Sequence, residues 1–316
     1  MPKRSKLFKT GDSFGNSEQA LMLKEYWIHI YCGDALLELD KITDNSVDCI
    51  ITDPPYFLDK MGDDWNKEKL EEASQKSKVI GGLPVGMKFD SKQGIALQKF
   101  YTIVSQKLYR VLKPGGFFLS FSQPRLSHRM AIAMEDANFE VRDMYAWHYS
   151  QKSQAKAFSM DHFIEKRNIS DTEKERIKKK LAGRKTPQLR PTFETIVMTQ
   201  KPREGGFVDN FLKWGVGLID TKITLDGKFL NTVMMVEKPS REKYNCHLTV
   251  KPVRLIQHLI EIFTSKGQIV LDPFLGSGTT ALACKKSGRK CIAIEINRDY
   301  IEIAKTRIKG EVYDKY

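Results

Sequence analysis

Asp53-Pro54-Pro55-Tyr56 closes an apolar run, Val47-Asp48-Cys49-Ile50-Ile51-Thr52, and its residue types suit chemistry on a flat amine. At a strand end, an aspartate carboxylate and a proline carbonyl can both accept hydrogen bonds from one exocyclic amino group. The prolines stiffen the loop, and the tyrosine ring offers a face to a planar base. That combination fits methylation of a nucleobase amine. Taken alone, the tetrapeptide also reads as a strand-end turn with a buried tyrosine. A second cluster, Val270-Leu271-Asp272-Pro273-Phe274-Leu275-Gly276-Ser277-Gly278-Thr279-Thr280, reads as a buried strand, a glycine turn and a helix start. Gly276 and Gly278 permit close backbone approach, and the helix beginning near Ser277 directs free N–H groups outward. Such a turn binds a nucleotide-like cofactor. The strand Cys291 to Ile296 carries Glu295 near its end, where a carboxylate can chelate two ribose hydroxyls or complement the dipole of the helix starting at Asn297.

The pair of motifs resembles the amino-methylating DNA methyltransferases that use S-adenosylmethionine, whose hallmarks are a D-P-P-Y tetrapeptide and an F-x-G-x-G cofactor loop. With the catalytic motif first in the chain, the order is similar to that of the β group. The resemblance runs from about Ile28 to Ile308 and implies catalytic roles for Asp53, Pro54, Pro55 and Tyr56. It implies cofactor contacts from Asp272, Pro273, Phe274, Gly276, Ser277, Gly278, Thr279 and Glu295, with the helix start facing the methionine carboxylate. Tyr31-Cys32-Gly33-Asp34-Ala35 resembles the family's G-D step, which would bring Asp34 and Ala35 to the cofactor adenine; Asp34 also reads as a plain helix cap. His247-Leu248-Thr249-Val250-Lys251-Pro252 resembles the H-x-T-x-K-P segment beside the cofactor, where Thr249 and Lys251 could bind the carboxylate, although capping of a helix at Pro252 would also explain Thr249.

The chemistry asked of these residues is specific. The lone pair of an exocyclic amine is delocalised into its ring, which makes the amine a poor nucleophile. If Asp53 accepts one amino hydrogen and the Pro54 carbonyl the other, the nitrogen is drawn towards tetrahedral geometry and its lone pair can be aimed at a sulfonium methyl. No metal is needed, and no metal-ligand cluster stands out among the six histidines. A base within a duplex must first be flipped out, and Tyr56 with Phe57 would receive it.

Composition agrees with a nucleic-acid substrate. Lysine and arginine total 52 against 39 acidic residues in 316, a formal charge of +13, which suits a partner rich in phosphate and also serves solubility. The five cysteines form no C-x-x-C pair and are odd in number, which fits a reducing cytosol better than a disulfide framework or a zinc site. Met1-Pro2-Lys3-Arg4-Ser5-Lys6 is basic, but neither a leader's apolar run nor a membrane span follows, so a cytoplasmic location is expected.

Apolar segments at Trp27 to Tyr31, Val47 to Thr52, Gly116 to Phe121, Asp143 to His148, Phe193 to Thr199, Ile269 to Phe274 and Lys290 to Ile296 alternate with helical patterns. Asp34 can cap a helix over Ala35 to Leu39, Gln98 to Leu112 ends at Lys113-Pro114-Gly115-Gly116, Pro252 opens another helix, and Asn297 can cap the last. The pattern predicts an α/β fold with a doubly wound, mostly parallel, seven-stranded sheet, which the resemblance makes a Rossmann-like methyltransferase fold with a small inserted target-recognition region. The expected divisions are an N-terminal extension (1–26), the catalytic half (27–201, with variable insertions 57–97 and 149–191), the recognition region (202–245) and the cofactor-binding half (246–316).

The insertion after the catalytic loop, Phe57 to Leu97, reads as a lid over substrate or as a disordered segment. Ile164 to Arg190 holds ten basic residues against four acidic ones, and Ser170-Asp171-Thr172-Glu173 is a capping box that opens a helix from Asp171 to Ala182, stopped by Gly183. Lys178, Lys179, Lys180, Arg184 and Lys185 are the candidate phosphate contacts; a solvated helix is the plainer alternative. The stretch from Pro202 to Asn245 mixes glycine, basic residues and aromatics, and could by composition be a small packing subdomain.

The expected activity is sequence-specific transfer to N6 of adenine in double-stranded DNA, as part of a restriction-modification system with a separate endonuclease. Transfer to N4 of cytosine is the alternative, and Asp53 favours adenine because an S-P-P-Y form is commoner in the family for cytosine. C5-cytosine chemistry needs a thiolate, and no Pro-Cys pair occurs. A catalytically silent DNA-binding protein is the alternative of another class; it has no need of Asp53 or the glycine turn. Relatives in the β group often pair, which leaves a homodimer open.

Overall fold

The computed structural model describes residues 20–23, 27–55, 91–149, 157–187, 189, 191–225, 227–229, 231–239 and 250–310. Strands and helices are numbered in chain order. β3 (Val47–Thr52) and β10 (Ile269–Asp272) are buried at every position, as strands covered on both faces must be, and they run side by side in parallel. Polar side chains pin both ends of this pair. Asp48 accepts a hydrogen bond from the Ile269 N–H at 2.7 Å and pairs with Lys113 Nζ at 2.5 Å, while Thr52 Oγ1 donates to Asp272 Oδ1 at 2.7 Å.

The sheet grows outward from that centre. β4 (Leu112–Ser122) joins β3, β11 (Lys290–Glu295) joins β10, and β2 (Ile28–Cys32) joins β11, all in parallel. β6 (Phe193–Gln200) is antiparallel to β4, and β5 (Glu140–His148) is antiparallel to β6. Two short edges complete it, β1 (Ala20–Leu23) and β9 (Val233–Met235), giving the order β1-β2-β11-β10-β3-β4-β6-β5-β9. A hairpin of β7 (Thr224–Leu225) and β8 (Lys228–Phe229) stands apart.

Seven of these strands are the seven predicted. The two edge strands are additional, and their brevity explains why no alternation marked them. Lys113-Pro114-Gly115-Gly116 does end a helix, as predicted, but it also opens β4: Gly115 turns the chain at φ +80°, and backbone bonds tie Gly115 and Gly116 to Lys201.

Helices cover both faces. α1 (Ala35–Glu38), α2 (Ser91–Val111) and α3 (Ser127–Glu135) pack a core with Ile50, Phe118 and Leu271, and α7 (Val253–Phe263), α8 (Thr279–Ser287) and α9 (Arg298–Lys309) pack the other with Cys49, Ile51 and Val270. The predicted caps are present: Asp34 accepts from the Leu36 N–H, Asn297 from the Asp299 N–H, and Ser170 from the Glu173 N–H ahead of α5 (Asp171–Leu181). β3 leads towards β4 and β10 towards β11, in opposite directions across the sheet. The crevice between their carboxyl ends is therefore the switch point at which such folds bind ligands.

The described part of 202–245 divides between the two ends of the sheet. Because β6 runs antiparallel, Lys201 lies at the end opposite Asp53, and α6 (Phe207–Trp214) stays there, with Asn210 donating to the Pro114 and Val216 carbonyls. β9 then runs back beside β5 towards the carboxyl edge.

Candidate active site

Three strand ends converge on one cleft. Its lining includes Ile51, Thr52 and Asp53 from β3 and its loop, Phe121 from β4, Lys251 ahead of α7, and Asp272 with the turn Phe274 to Thr280. Asp53 is part-buried and Pro54 buried. Lys251, only 6% exposed, forms an ion pair with Asp53 Oδ2, and its Nζ lies 3.3 Å from Glu194 Oε2. Burial alone would lower the lysine's pKa; the charges and hydrogen bonds of Asp53 and Glu194 outweigh it and hold the ammonium above its ordinary value.

Asp272 is a second carboxylate in the same crevice. Burial pushes its pKa up to about 6, against hydrogen bonds from Thr52, Thr280 and the Phe274 N–H. The turn that follows requires its glycine. Gly278 adopts φ +90°, and a Cβ there would come within 2.6 Å of Ala304 Cβ on α9. Buried Arg307 supports the turn from behind, donating from Nη1 to the Ser277 carbonyl at 2.7 Å and to Thr279 Oγ1 at 3.2 Å. The helix proper begins at Thr279, two residues later than predicted.

Glu295, at the end of β11, accepts hydrogen bonds from the Gly276 N–H at 2.7 Å and the Asn297 N–H at 2.9 Å. Burial raises its pKa. It thus fixes the glycine turn to the end of β11. Gly33 N–H donates to the Glu295 carbonyl, which puts Asp34 and Ala35 at the same edge, with Asp34 acting as the cap of α1.

Most of the predicted site residues therefore meet: Asp53, Pro54, Pro55, Lys251, Asp272, Pro273, Phe274, Gly276, Ser277, Gly278, Thr279, Glu295, Asp34 and Ala35. Tyr56, Phe57 and Thr249 lie outside the described residues, as does most of the 57–97 insertion. Sequence reasoning missed Glu194 and Arg307. Arg307 falls in the last turn of α9, where a cation reads as a dipole partner. Glu194 gave no signal, because its place beside Lys251 depends on the antiparallel register of β6.

The basic candidates lie in an insertion leaving the carboxyl-edge end of β5 and returning to β6 at the same edge. α4 (Asp161–Glu165) packs on α5, and Ser159 bridges Lys185. Lys178 is paired with Glu165 at 2.8 Å and Glu175 at 2.7 Å. Lys179, Lys180, Arg184 and Lys185 are exposed, and none of them makes an ion pair among the described residues.

A family model described as DNA methylase matches residues 47–306. The chain belongs to the N6/N4 DNA methylase family. It is similar to the Type II methyltransferase M.HindIII of Haemophilus influenzae, 31% identical over 304 residues that span 88% of this chain and 94% of that protein. Among solved structures it resembles the PvuII DNA methyltransferase (cytosine-N4-specific), at TM-score 0.57 and 17% identity, covering 89% of this chain and 86% of that one. It also resembles the M1.HpyAVI–SAM complex, at TM-score 0.52 and 22% identity, covering 89% and 98%. This methylase thus has the Rossmann-like methyltransferase fold, and the cofactor of its family is S-adenosylmethionine. Among the described residues no helix is long and apolar enough to cross a membrane.

Proposed function

We propose that this DNA methyltransferase methylates N6 of adenine within a specific sequence of double-stranded DNA, as the modification partner of a restriction endonuclease in the cytoplasm. The observation that carries the reading is the juxtaposition of Asp53 and Pro54 with the glycine turn across the β3/β10 crevice. S-adenosylmethionine, bound there, supplies a methyl group on a positively charged sulfur. Gly276 and Gly278 would let the turn approach it closely, the N–H groups at the start of α8 would face its carboxylate, and Glu295 and Asp34 would face its ribose and adenine. Asp53 and the Pro54 carbonyl accept the two hydrogens of the target amine and aim its lone pair. The exposed cations of α5 and the following turn hold phosphates at the same edge. Recognition is assigned to 202–245, within which β9 runs towards the carboxyl edge that holds Asp53.

Asp53 favours adenine over cytosine within the family pattern. The N4-cytosine reading is kept because the PvuII enzyme shares the fold. Transfer of labelled methyl to unmethylated genomic DNA, with identification of the modified nucleoside, tests the proposal: N6-methyladenine is expected, and N4-methylcytosine would replace the substrate. Asp53→Ala is expected to abolish transfer with DNA affinity kept; an unchanged rate would remove Asp53 from the mechanism.

A further inference from the structure

The ion pair at Asp53 is half of a longer arrangement. Lys251 lies between two carboxylates on different strands, Asp53 at the end of β3 and Glu194 at the start of β6. Glu194 Oε1 is in turn 3.8 Å from Lys238 Nζ, and Lys238 sits 3.7 Å above the centre of the Tyr149 ring. The Phe121 ring lies 5.2 Å from Lys251 Nζ, so the ammonium has an aromatic wall on one side. Among the described residues, the charged and titratable groups around Lys251 are Asp53, Glu194, Asp272 in the same cleft, Lys238 and Tyr149, the last with its pKa raised to about 12 by burial and by Glu194.

A buried ammonium with one carboxylate for a partner would commit its charge and hydrogen bonds to that carboxylate. In this cleft that partner is the group asked to accept hydrogens from the incoming amine. A second carboxylate changes the balance, because Lys251 can lean towards Glu194 without being left buried and unpaired. We propose that Glu194 is a positioning residue for methyl transfer: it shares Lys251 with Asp53, so that Asp53 can exchange a lysine hydrogen bond for one from the target amine. The proposal rests on Asp53 as the amine acceptor. Glu194 itself touches neither substrate nor cofactor; it acts through Lys251.

The test compares Glu194→Gln, Glu194→Asp, Lys251→Met, the Glu194→Gln/Lys251→Met double variant and Asp53→Ala in single-turnover methyl transfer at saturating S-adenosylmethionine and DNA. Thermal unfolding and cofactor titration verify that each variant is folded. Glu194→Gln is expected to slow transfer by about tenfold to hundredfold with the cofactor KM nearly unchanged, and Glu194→Asp to recover part of the loss. Removing one of two negative partners weakens Lys251's hold on its proton. Its titration, followed by NMR on nitrogen-labelled lysine, and the basic limb of the pH–rate profile therefore both move to lower pH in Glu194→Gln. The double variant is expected to be no slower than Lys251→Met alone. Losses that multiply in the double variant, or an unmoved lysine titration and rate in Glu194→Gln, would overturn the proposal. Asp53→Ala separates the two levels: if it kills transfer while Glu194→Gln does nothing, only the positioning role fails, whereas an active Asp53→Ala removes the reading beneath it.

Discussion

Asp53 and Asp272 end neighbouring strands, yet their surroundings give them different work. Asp53 meets an ammonium and remains partly exposed, while Asp272 is buried against hydroxyl and amide donors. Its folded pKa, about 6, lies above the ordinary 3.8, so the folded state binds this proton more tightly than the unfolded chain does. The stability that the protonated group supplies is present below about pH 4 and is lost as pH rises through 6. Its full size is on the order of 3 kcal/mol. Asp272→Asn, which can keep the acceptor oxygen for Thr52 and Phe274, is expected to flatten the dependence of the denaturation midpoint on pH between 4 and 6. An unaltered slope would place that dependence on other groups. At Gly278 the expectation follows from shape: Gly278→Ala forces a side chain into φ +90° and against Ala304. We expect a loss of about 1 to 3 kcal/mol in stability together with weaker cofactor binding, read by thermal unfolding and by cofactor titration.

Among the elements, α5 makes the clearest case for separating total charge from available charge. The sequence shows three consecutive lysines at its end, but Glu165 and Glu175 neutralise Lys178. Lys179 and Lys180 are exposed with no ion pair among the described residues. Lys179→Ala and Lys180→Ala are therefore each expected to reduce the salt dependence of DNA binding by about one in log–log slope, while Lys178→Ala changes it much less. Equal effects at the three lysines would mean that Lys178 leaves its glutamates on binding. The helix itself was readable in advance because its capping box and its glycine stop are local signals. The pairing of Lys178 with Glu165 was not, since α4 brings that glutamate from outside the helix.

For the whole molecule, what could be read early was what depends on local pattern. Seven strands, the caps at Asp34, Ser170 and Asn297, and the apolar face of α7 are written in runs of a few residues. The two motif loops were also legible, and the resemblance supplied their meeting across the β3/β10 crevice. Strand direction and register were less accessible. The reversal of β6 puts Glu194 at the catalytic edge and α6 at the far end, and no periodicity announces a reversal. The same limit hid β1 and β9, each too short to display an alternation. The parts that a sequence hides here are therefore the ones made by contacts between distant strands, Lys251 with Glu194 among them.

The proposed site joins Asp53 and the glycine turn for methyl transfer to adenine. Its most direct measurement is incorporation of labelled methyl from S-adenosylmethionine into unmethylated genomic DNA, comparing the natural protein with Asp53→Ala and identifying the modified nucleoside. N6-methyladenine is expected from the natural protein and none from the variant. Label appearing at equal rates with both, or in a nucleoside other than N6-methyladenine, would contradict it.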